Sequence, residues 1–301
     1  MDSYRIINSP LGVGLALSLS RGLPPGPGRR LARAVAHWLA SRQGLPIVRA
    51  VRLNQWVVSG GRLTGQALDE AVYTTFQHTA QNIYTLYHNL NDHTGMERLV
   101  EFSPQAEALV RASQAAGSGM IVVGVHMSNF DLVARLAGRR GLRALVLALP
   151  QPGSGYRWQN RMRREAGLEI LPASLSALRL ASRRLQAGET VLTGIDRPLP
   201  YSKYRPRFFG RPAALPVMHI NLALQTGVPI VVAAALMGPD SVYRILTSDC
   251  ISMRRHPDRR REIIQNAETV LEIGEDFIRQ APTQWAMFYP VWPEAEAELP
   301  G

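Results

Sequence analysis

The sequence predicts an α/β fold: a mainly parallel central sheet flanked by helices, with an N-terminal layer of amphipathic helices. Three observations carry this. The first hundred residues show apolar positions at helical spacing. From about residue 120 onward, short apolar runs of strand length alternate with helical segments, the pattern of a sheet covered on both faces. The composition, 46% apolar and 19% charged over 301 residues, is that of a folded globular chain. No repeat or linker divides it, so the chain reads as one domain in three parts: basic amphipathic helices over 1–64, a helical region over 65–118 and an α/β core over 119–301.

The elements follow in order. Val72, Phe76, Thr79, Ile83, Tyr87 and Leu90 recur at helical spacing and predict a helix over 68–90. Ser103-Pro104 supplies a cap and first-turn proline for a helix over 105–116. Then the period changes. Strands are predicted over 120–125, 142–149, 169–171, 191–195, 229–235 and 242–247. The helices between and after them cover 132–137, 157–165, 175–186, 216–225 and 259–280.

The charge is +11 and lopsided. Residues 1–64 hold nine arginines against one acid, Asp2. Such a patch implies an anionic partner: nucleic acid, an acidic lipid surface or an anionic ligand. The apolar runs at 11–19 and 228–237 are too short to span a bilayer, which takes roughly 20 residues. Arg5 ahead of the first run gives it a faint likeness to a signal peptide, but basic sequence continues past it, and a monotopic helix is the better reading. Leu31, Val35, Trp38 and Leu39 then share a face with Arg30, Arg33 and His37 around them, and over 46–58 Val48, Val51 and Trp56 interleave with Arg49 and Arg52. Arginine, tryptophan and aliphatics on short helices suit a lipid headgroup layer. No nucleic-acid motif accompanies the charge, so no nucleic-acid partner is expected, although Arg254-Arg255 and Arg259-Arg260-Arg261 keep nucleic-acid binding as an alternative.

Several chemistries are excluded. The single cysteine, Cys250, rules out an intrachain disulfide and multi-cysteine metal sites, and no metal is expected. The one lysine, Lys203, follows no glycine-rich run, so there is no phosphate-binding loop. G-x-S-x-G, H-E-x-x-H and G-x-G-x-x-G are absent.

What remains is Gly124-Val125-His126-Met127-Ser128-Asn129-Phe130-Asp131, directly after a buried strand. In open α/β sheets ligands bind beyond the carboxyl ends of the strands, where His126 falls. A turn between His126 and Asp131 lets the carboxylate orient one imidazole nitrogen and leaves the other to take a proton. The helix start after it offers N–H groups around Ser128–Phe130 for a developing oxyanion, with Ser128 expected as the cap and Asn129 and Phe130 as substrate contacts.

On these residues the chain resembles the lipid A lauroyl acyltransferase superfamily, which includes phosphatidylinositol mannoside acyltransferases. His126-x4-Asp131 looks like the signature of glycerolipid and lipid A acyltransferases. Arg161-Met162-Arg163-Arg164-Glu165-Ala166-Gly167 looks like the family's arginine-then-glycine block, and Ile195-Asp196-Arg197-Pro198 like its acidic block. Phe208-Phe209-Gly210-Arg211-Pro212 is similar to its F-F-G block, and Ala281-Pro282-Thr283-Gln284-Trp285 to its C-terminal proline–glutamine–aromatic element.

The resemblance implies a glycerolipid acyltransferase-like fold and acyl transfer from acyl-CoA or acyl-ACP, a co-substrate rather than a cofactor, to a hydroxyl of a membrane glycolipid. His126 would be the base, with no covalent enzyme intermediate. Mannoside-acylating relatives carry a glutamate where this chain has Asp196, so either Asp131 or Asp196 could orient His126. Asp196 could equally cap the strand end or pair with Arg197. Arg161, Arg163 and Arg164 are the candidates to grip phosphate, with Arg164 preferred; Arg197 is expected to contact substrate, and Phe209 and Gly210 to shape the floor of the site. His219, Trp285 and Trp292 are expected to be structural. The implied location is peripheral, on the cytoplasmic face of the cell membrane. A lipid carrier without catalysis is a further alternative.

Overall fold

The computed structural model describes residues 10–115, 117, 119–149 and 154–300; Asp2 and Arg5 lie outside them. Four helices come first: α1 (Pro10–Gly22), α2 (Pro25–Ala40), α3 (Pro46–Val58) and α4 (Gly65–His88). Proline stands in the first turn of α2 and α3, where its missing N–H costs no hydrogen bond. A short helix α5 (His93–Leu99) and a two-residue strand β1 (Val100–Glu101), neither predicted, lead to α6 (Pro104–Gln114), whose N-cap Ser103 accepts from the Ala106 N–H.

Strands and helices then alternate: β2 (Met120–Gly124), α7 (Phe130–Arg139), β3 (Ala144–Ala148), α8 (Ser154–Glu165), β4 (Glu169–Pro172), α9 (Leu175–Gln186) and β5 (Thr190–Gly194). A small hairpin, β6 (Arg207–Phe208) and β7 (Arg211–Pro212), precedes α10 (Met218–Thr226), β8 (Ile230–Met237), β9 (Tyr243–Thr247) and the closing helix α11 (Arg259–Gln280). The seven-stranded sheet has the order β1-β9-β8-β2-β5-β3-β4 and is parallel except at β8–β9. That pair is antiparallel because only residues 238–242 join it, too few for a crossover.

Strand β2 lies at the centre of this sheet, with Ile121 and Val123 fully buried. Its pairing with β5 sets Gly124 opposite Gly194. Residues two positions beyond each strand therefore emerge side by side at the carboxyl edge of the sheet, and these are His126 and Asp196.

The N-terminal layer divides in a way the composition does not show. In α2 the small residues Gly28, Ala32 and Ala36 are buried, while Leu31, Val35 and Trp38 are exposed. The close packing is required: a Cβ on Gly28 would sit 2.1 Å from the Tyr84 ring of α4. Helix α1 likewise exposes Leu15 and Leu19. The expectation that α3 belongs to an interfacial surface is corrected. Val48, Val51, Leu53, Trp56 and Val57 are all buried, and Arg52 pairs with Asp69 of α4. An apolar helix with arginines at its rim has the same composition whether it faces lipid or core, and α3 faces core.

One buried histidine makes no side-chain hydrogen bond among the described residues. His219 of α10 is buried with neither ring nitrogen bonded to any described residue, and burial pushes its pKa down to about 3 from 6.5. Below about pH 6.5 the unfolded chain binds a proton that the folded chain refuses, so folding stability falls by about 1.4 kcal/mol per pH unit from this group until about pH 3. His219→Leu is expected to remove that component. Urea midpoints at pH 7 and pH 5 should converge in the variant relative to the parent.

Candidate active site

Two residues past β2 and two past β5, a histidine and a carboxylate meet. His126 Nδ1 lies 2.6 Å from Asp196 Oδ1, and the His126 backbone N–H donates to Asp196 Oδ2 at 2.8 Å. The Trp285 indole N–H donates to the same Oδ2 at 2.7 Å. Asp196 is wholly buried, which pushes its carboxyl up, but the facing His126 ring and the hydrogen bonds from His126 and Trp285 outweigh burial and hold it below the ordinary carboxylate range. The His126 side chain keeps 22% exposure. Asp196 occupies Nδ1, so Nε2 is the nitrogen left to exchange a proton with a substrate.

The ring is packed on two sides. Phe130 meets it edge-to-face, with centroids 5.0 Å apart at 82°. Gly194 forms the other wall, where a Cβ would come within 2.9 Å of His126 Cε1. Nothing local in the sequence marks Gly194; only the β2–β5 register reveals why a side chain is excluded there.

The turn after His126 differs from expectation in two ways. First, Asp131 does not fold back onto the imidazole. It accepts from Arg163 of α8, Nε at 2.9 Å and Nη2 at 2.5 Å, and this pair ties α7 to α8. Asp131 sits in the first turn of α7 and is turned toward α8, so the choice of partner for His126 falls to Asp196. Second, the cap of α7 is Asn129, not Ser128. Asn129 Oδ1 accepts from the Leu132 N–H, and Nδ2 donates to the Asn82 carbonyl of α4 at 3.0 Å. Asn129 is buried, and its side chain is engaged by these two bonds within the fold. Ser128 takes a left-handed φ of 49° and donates its N–H to the Gln284 carbonyl at 2.7 Å. The N–H groups left for an oxyanion are those of Asn129, Phe130 and Asp131, at the start of the helix and without intrahelical partners.

A segment far along the chain closes the back of the site. The Ala286 N–H donates to the His126 carbonyl at 2.8 Å, so residues 284–286 lie antiparallel along 126–128. The Gln284 side-chain amide clasps the Met237 peptide at the end of β8, both bonds being 2.8 Å. Two buried polar residues of α3 and a half-buried histidine of α4 hold the same segment. Gln55 donates to the Pro282 carbonyl at 2.9 Å, Asn54 to those of Met287 and Tyr289, and His78 Nδ1 lies 3.1 Å from the Thr283 carbonyl. This is the work of α3 that its sequence did not disclose.

The remaining predicted residues separate. Arg197 is held between two phenols, 4.2 Å from the Tyr289 ring centroid and 4.7 Å from that of Tyr156, whose hydroxyl it also meets. It adjoins Asp196 without pairing with it. Arg164 is directed away, donating to the Ile170 carbonyl of β4 at 3.1 Å; the arginine that reaches the histidine turn is Arg163, 6.0 Å above the Phe130 ring. Phe209 and Gly210 form the corner of the β6–β7 hairpin, with φ of 50° and 74°. A two-residue turn of this kind requires positive φ at both positions. The Phe209 N–H is fixed to Glu275 of α11 at 2.6 Å, and its ring packs among Phe208, Trp285 and Trp292. Gly210 is an exposed corner rather than a floor. Among the described residues no group of His, Cys, Asp or Glu could hold a metal ion.

The Asp131–Arg163 pair is nine-tenths buried on the carboxylate side. Asp131→Asn is expected to lower stability by about 1–3 kcal/mol, leaving an uncompensated guanidinium, while the His126–Asp196 contact persists. Denaturant titration reads the first effect and a crystal structure of the variant the second.

Comparison with known proteins places the sequence in a family. The family model for bacterial lipid A biosynthesis acyltransferases matches residues 72–294, about three quarters of the chain. A phosphatidylinositol mannoside acyltransferase of Mycobacterium tuberculosis (strain ATCC 25618 / H37Rv) is 31% identical over 120 residues, 38% of this chain and 38% of the relative. The protein of the same description from strain CDC 1551 / Oshkosh is 30% identical over the same share. The match thus spans well under half the length of either relative. The family model, by contrast, takes in the histidine turn, the Asp196 block and the segment that closes on both, and the chain belongs to the bacterial lipid A biosynthesis acyltransferase family.

Proposed function

We propose that the protein moves a fatty acyl group from an acyl thioester to a hydroxyl of a membrane glycolipid. The observation that carries this is the Asp196–His126 pair at the carboxyl edge of the sheet, in a chain of an acyltransferase family. His126 Nε2 takes the proton of the acceptor hydroxyl as its oxygen attacks the thioester carbonyl. Asp196 stabilises the imidazolium. The oxyanion is met by the free N–H groups at the start of α7, which lie in the same turn. The carbon–sulfur bond breaks, and the leaving thiolate recovers the proton from Nε2. No protein nucleophile takes part. Coenzyme A and acyl carrier protein both present such a thioester. The relatives' description favours an inositol mannoside-type acceptor, and the family's a lipid A-type one.

The acceptor is a lipid, so the protein has to reach a membrane. No helix among the described residues is long and apolar enough to cross one. Leu15 and Leu19 of α1 and Leu31, Val35 and Trp38 of α2 are exposed, with Arg29, Arg30 and Arg33 exposed beside them and Arg42 stacked 4.5 Å over Trp38. In α2 the large apolar side chains face outward and the small ones inward, the reverse of a helix that packs only on a core. This supports peripheral docking to the cytoplasmic face of the membrane, at roughly 1 kcal/mol per arginine close to an anionic leaflet.

Two tests follow. His126→Ala and Asp196→Asn are expected to keep the fold while lowering thiol release from acyl-CoA by about 10²–10⁴-fold in the presence of host membranes. Unchanged turnover in His126→Ala would sink the mechanism and favour a lipid carrier. Leu31→Gln with Val35→Gln and Trp38→Gln is expected to abolish co-sedimentation with anionic vesicles while leaving the melting temperature within a few degrees of the parent. Binding to DNA instead of vesicles would revive the nucleic-acid reading.

A further inference from the structure

The buried carboxylate of Asp196 is addressed by three donors, and only one belongs to no element of the histidine turn. That donor is Trp285, 1% exposed, whose ring is wedged against Phe208, Phe209 and Trp292 at centroid distances of 5.9, 6.5 and 6.2 Å. Its backbone is fixed as well, by the antiparallel bridge to Met127 and by donation to the Pro282 carbonyl. An indole N–H can only donate and does not titrate in water, so this contact has one polarity at every pH.

We propose that Trp285 is a positioning residue for the His126–Asp196 pair: its indole N–H fixes the rotation of the carboxylate and favours the pair with its ring unprotonated. The inference rests on the acyl-transfer reading for its kinetic consequence but not for its physical one. With Oδ2 held by Trp285 and the His126 backbone, Oδ1 is the oxygen presented to Nδ1. The indole bond is strongest when the pair carries its full negative charge. Protonation of the ring draws that charge toward Oδ1 and weakens the bond. The indole therefore favours the unprotonated, base-competent pair and extends it to lower pH.

The other charged groups around the pair are already engaged. Asp131 and Arg163 pair with each other behind Phe130, and Glu275 and Arg279 of α11 pair beside Phe209. Arg197 is stacked between tyrosines, and His78 of α4 faces Thr283. None of these makes a hydrogen bond to Asp196 among the described residues. Deleting the indole N–H therefore leaves no substitute donor.

The same aromatic cluster supplies the control. Trp292 is equally buried, stacks on Phe208 at 5.5 Å, and its Nε1 has no partner among the described residues. Trp285→Phe and Trp292→Phe thus remove the same atoms from the same cluster, but only the first removes a bond to Asp196. The experiment follows the His126 ring by NMR in the full-length protein labelled at its seven histidines, the signal being assigned by its loss in His126→Ala. In Trp285→Phe the titration midpoint is expected to rise by about half a unit to one unit, and in Trp292→Phe to stay in place. Where acyl transfer is measured, kcat should fall about five- to tenfold in Trp285→Phe with KM unchanged, and the acid limb of the pH profile should move up with the NMR midpoint. Equal losses of melting temperature in both variants with neither midpoint displaced would reduce Trp285 to packing, and a downward displacement would reverse the proposal. The titration needs no turnover, so a parent protein without transferase activity would refute the acyl-transfer reading and still leave this one tested.

Discussion

A carboxylate with no exposure to water is the constraint around which the site is organised. An ion buried alone costs several kcal/mol even after the surroundings relax, so Asp196 is tolerable only with its donors in place. Those donors come from distant parts of the chain. Strand β5 carries Asp196 to the sheet edge and β2 carries His126 beside it, because Gly124 pairs with Gly194. Gly194 lacks a side chain so that the imidazole can lie against it. Trp285 arrives from 89 residues further along. Any one of these misplaced would leave a buried charge short of a partner, which couples the correctness of the fold to the competence of the site.

The helical layer and the site share one frame. Helix α4 packs against Gly28 of α2 on one side and, on the other, accepts the bond from Asn129 that anchors the histidine turn. Helix α3 presents Asn54 and Gln55 to the segment that backs the His126–Asp196 pair. Two rigid helices thus stand between the outward apolar face of α1 and α2 and the His126–Asp196 pair. The distance from that face to His126 is set by packed side chains rather than by a loop.

Much of the architecture was legible because its causes are local. Helices α9 and α11 fall on the predicted residues, and the strands to within a few residues, since apolar period and capping act within a turn or two. His126 could be singled out because it follows a buried strand, and Asp196 because its block resembles the family's acidic one. Their pairing could not be read, because it depends on interstrand register rather than on spacing along the chain. For the same reason Asp131, five residues from His126, looked like the nearer partner until α8 brought Arg163 to it. Phe209-Gly210 read as a site floor because a motif shows which residues are special and not whether their reason is chemical or conformational; their positive φ angles supply a conformational reason. Trp285 and α3 were undervalued because a hydrogen-bonding tryptophan and a buried amphipathic helix have the same composition as ones that merely pack.

The antiparallel run of residues 284–286 along 126–128 has a temporal side. A polypeptide emerges from the ribosome in order, so α1 and α2 are available to whatever surface they meet while most of the chain is still unmade. The histidine turn and Asp196 follow, but the back wall of their pocket does not exist until residue 286 has cleared the exit tunnel. Residues 284–286 are thus made long after the histidine turn they line, and a chain stalled in between holds His126 and Asp196 without the bond from Trp285.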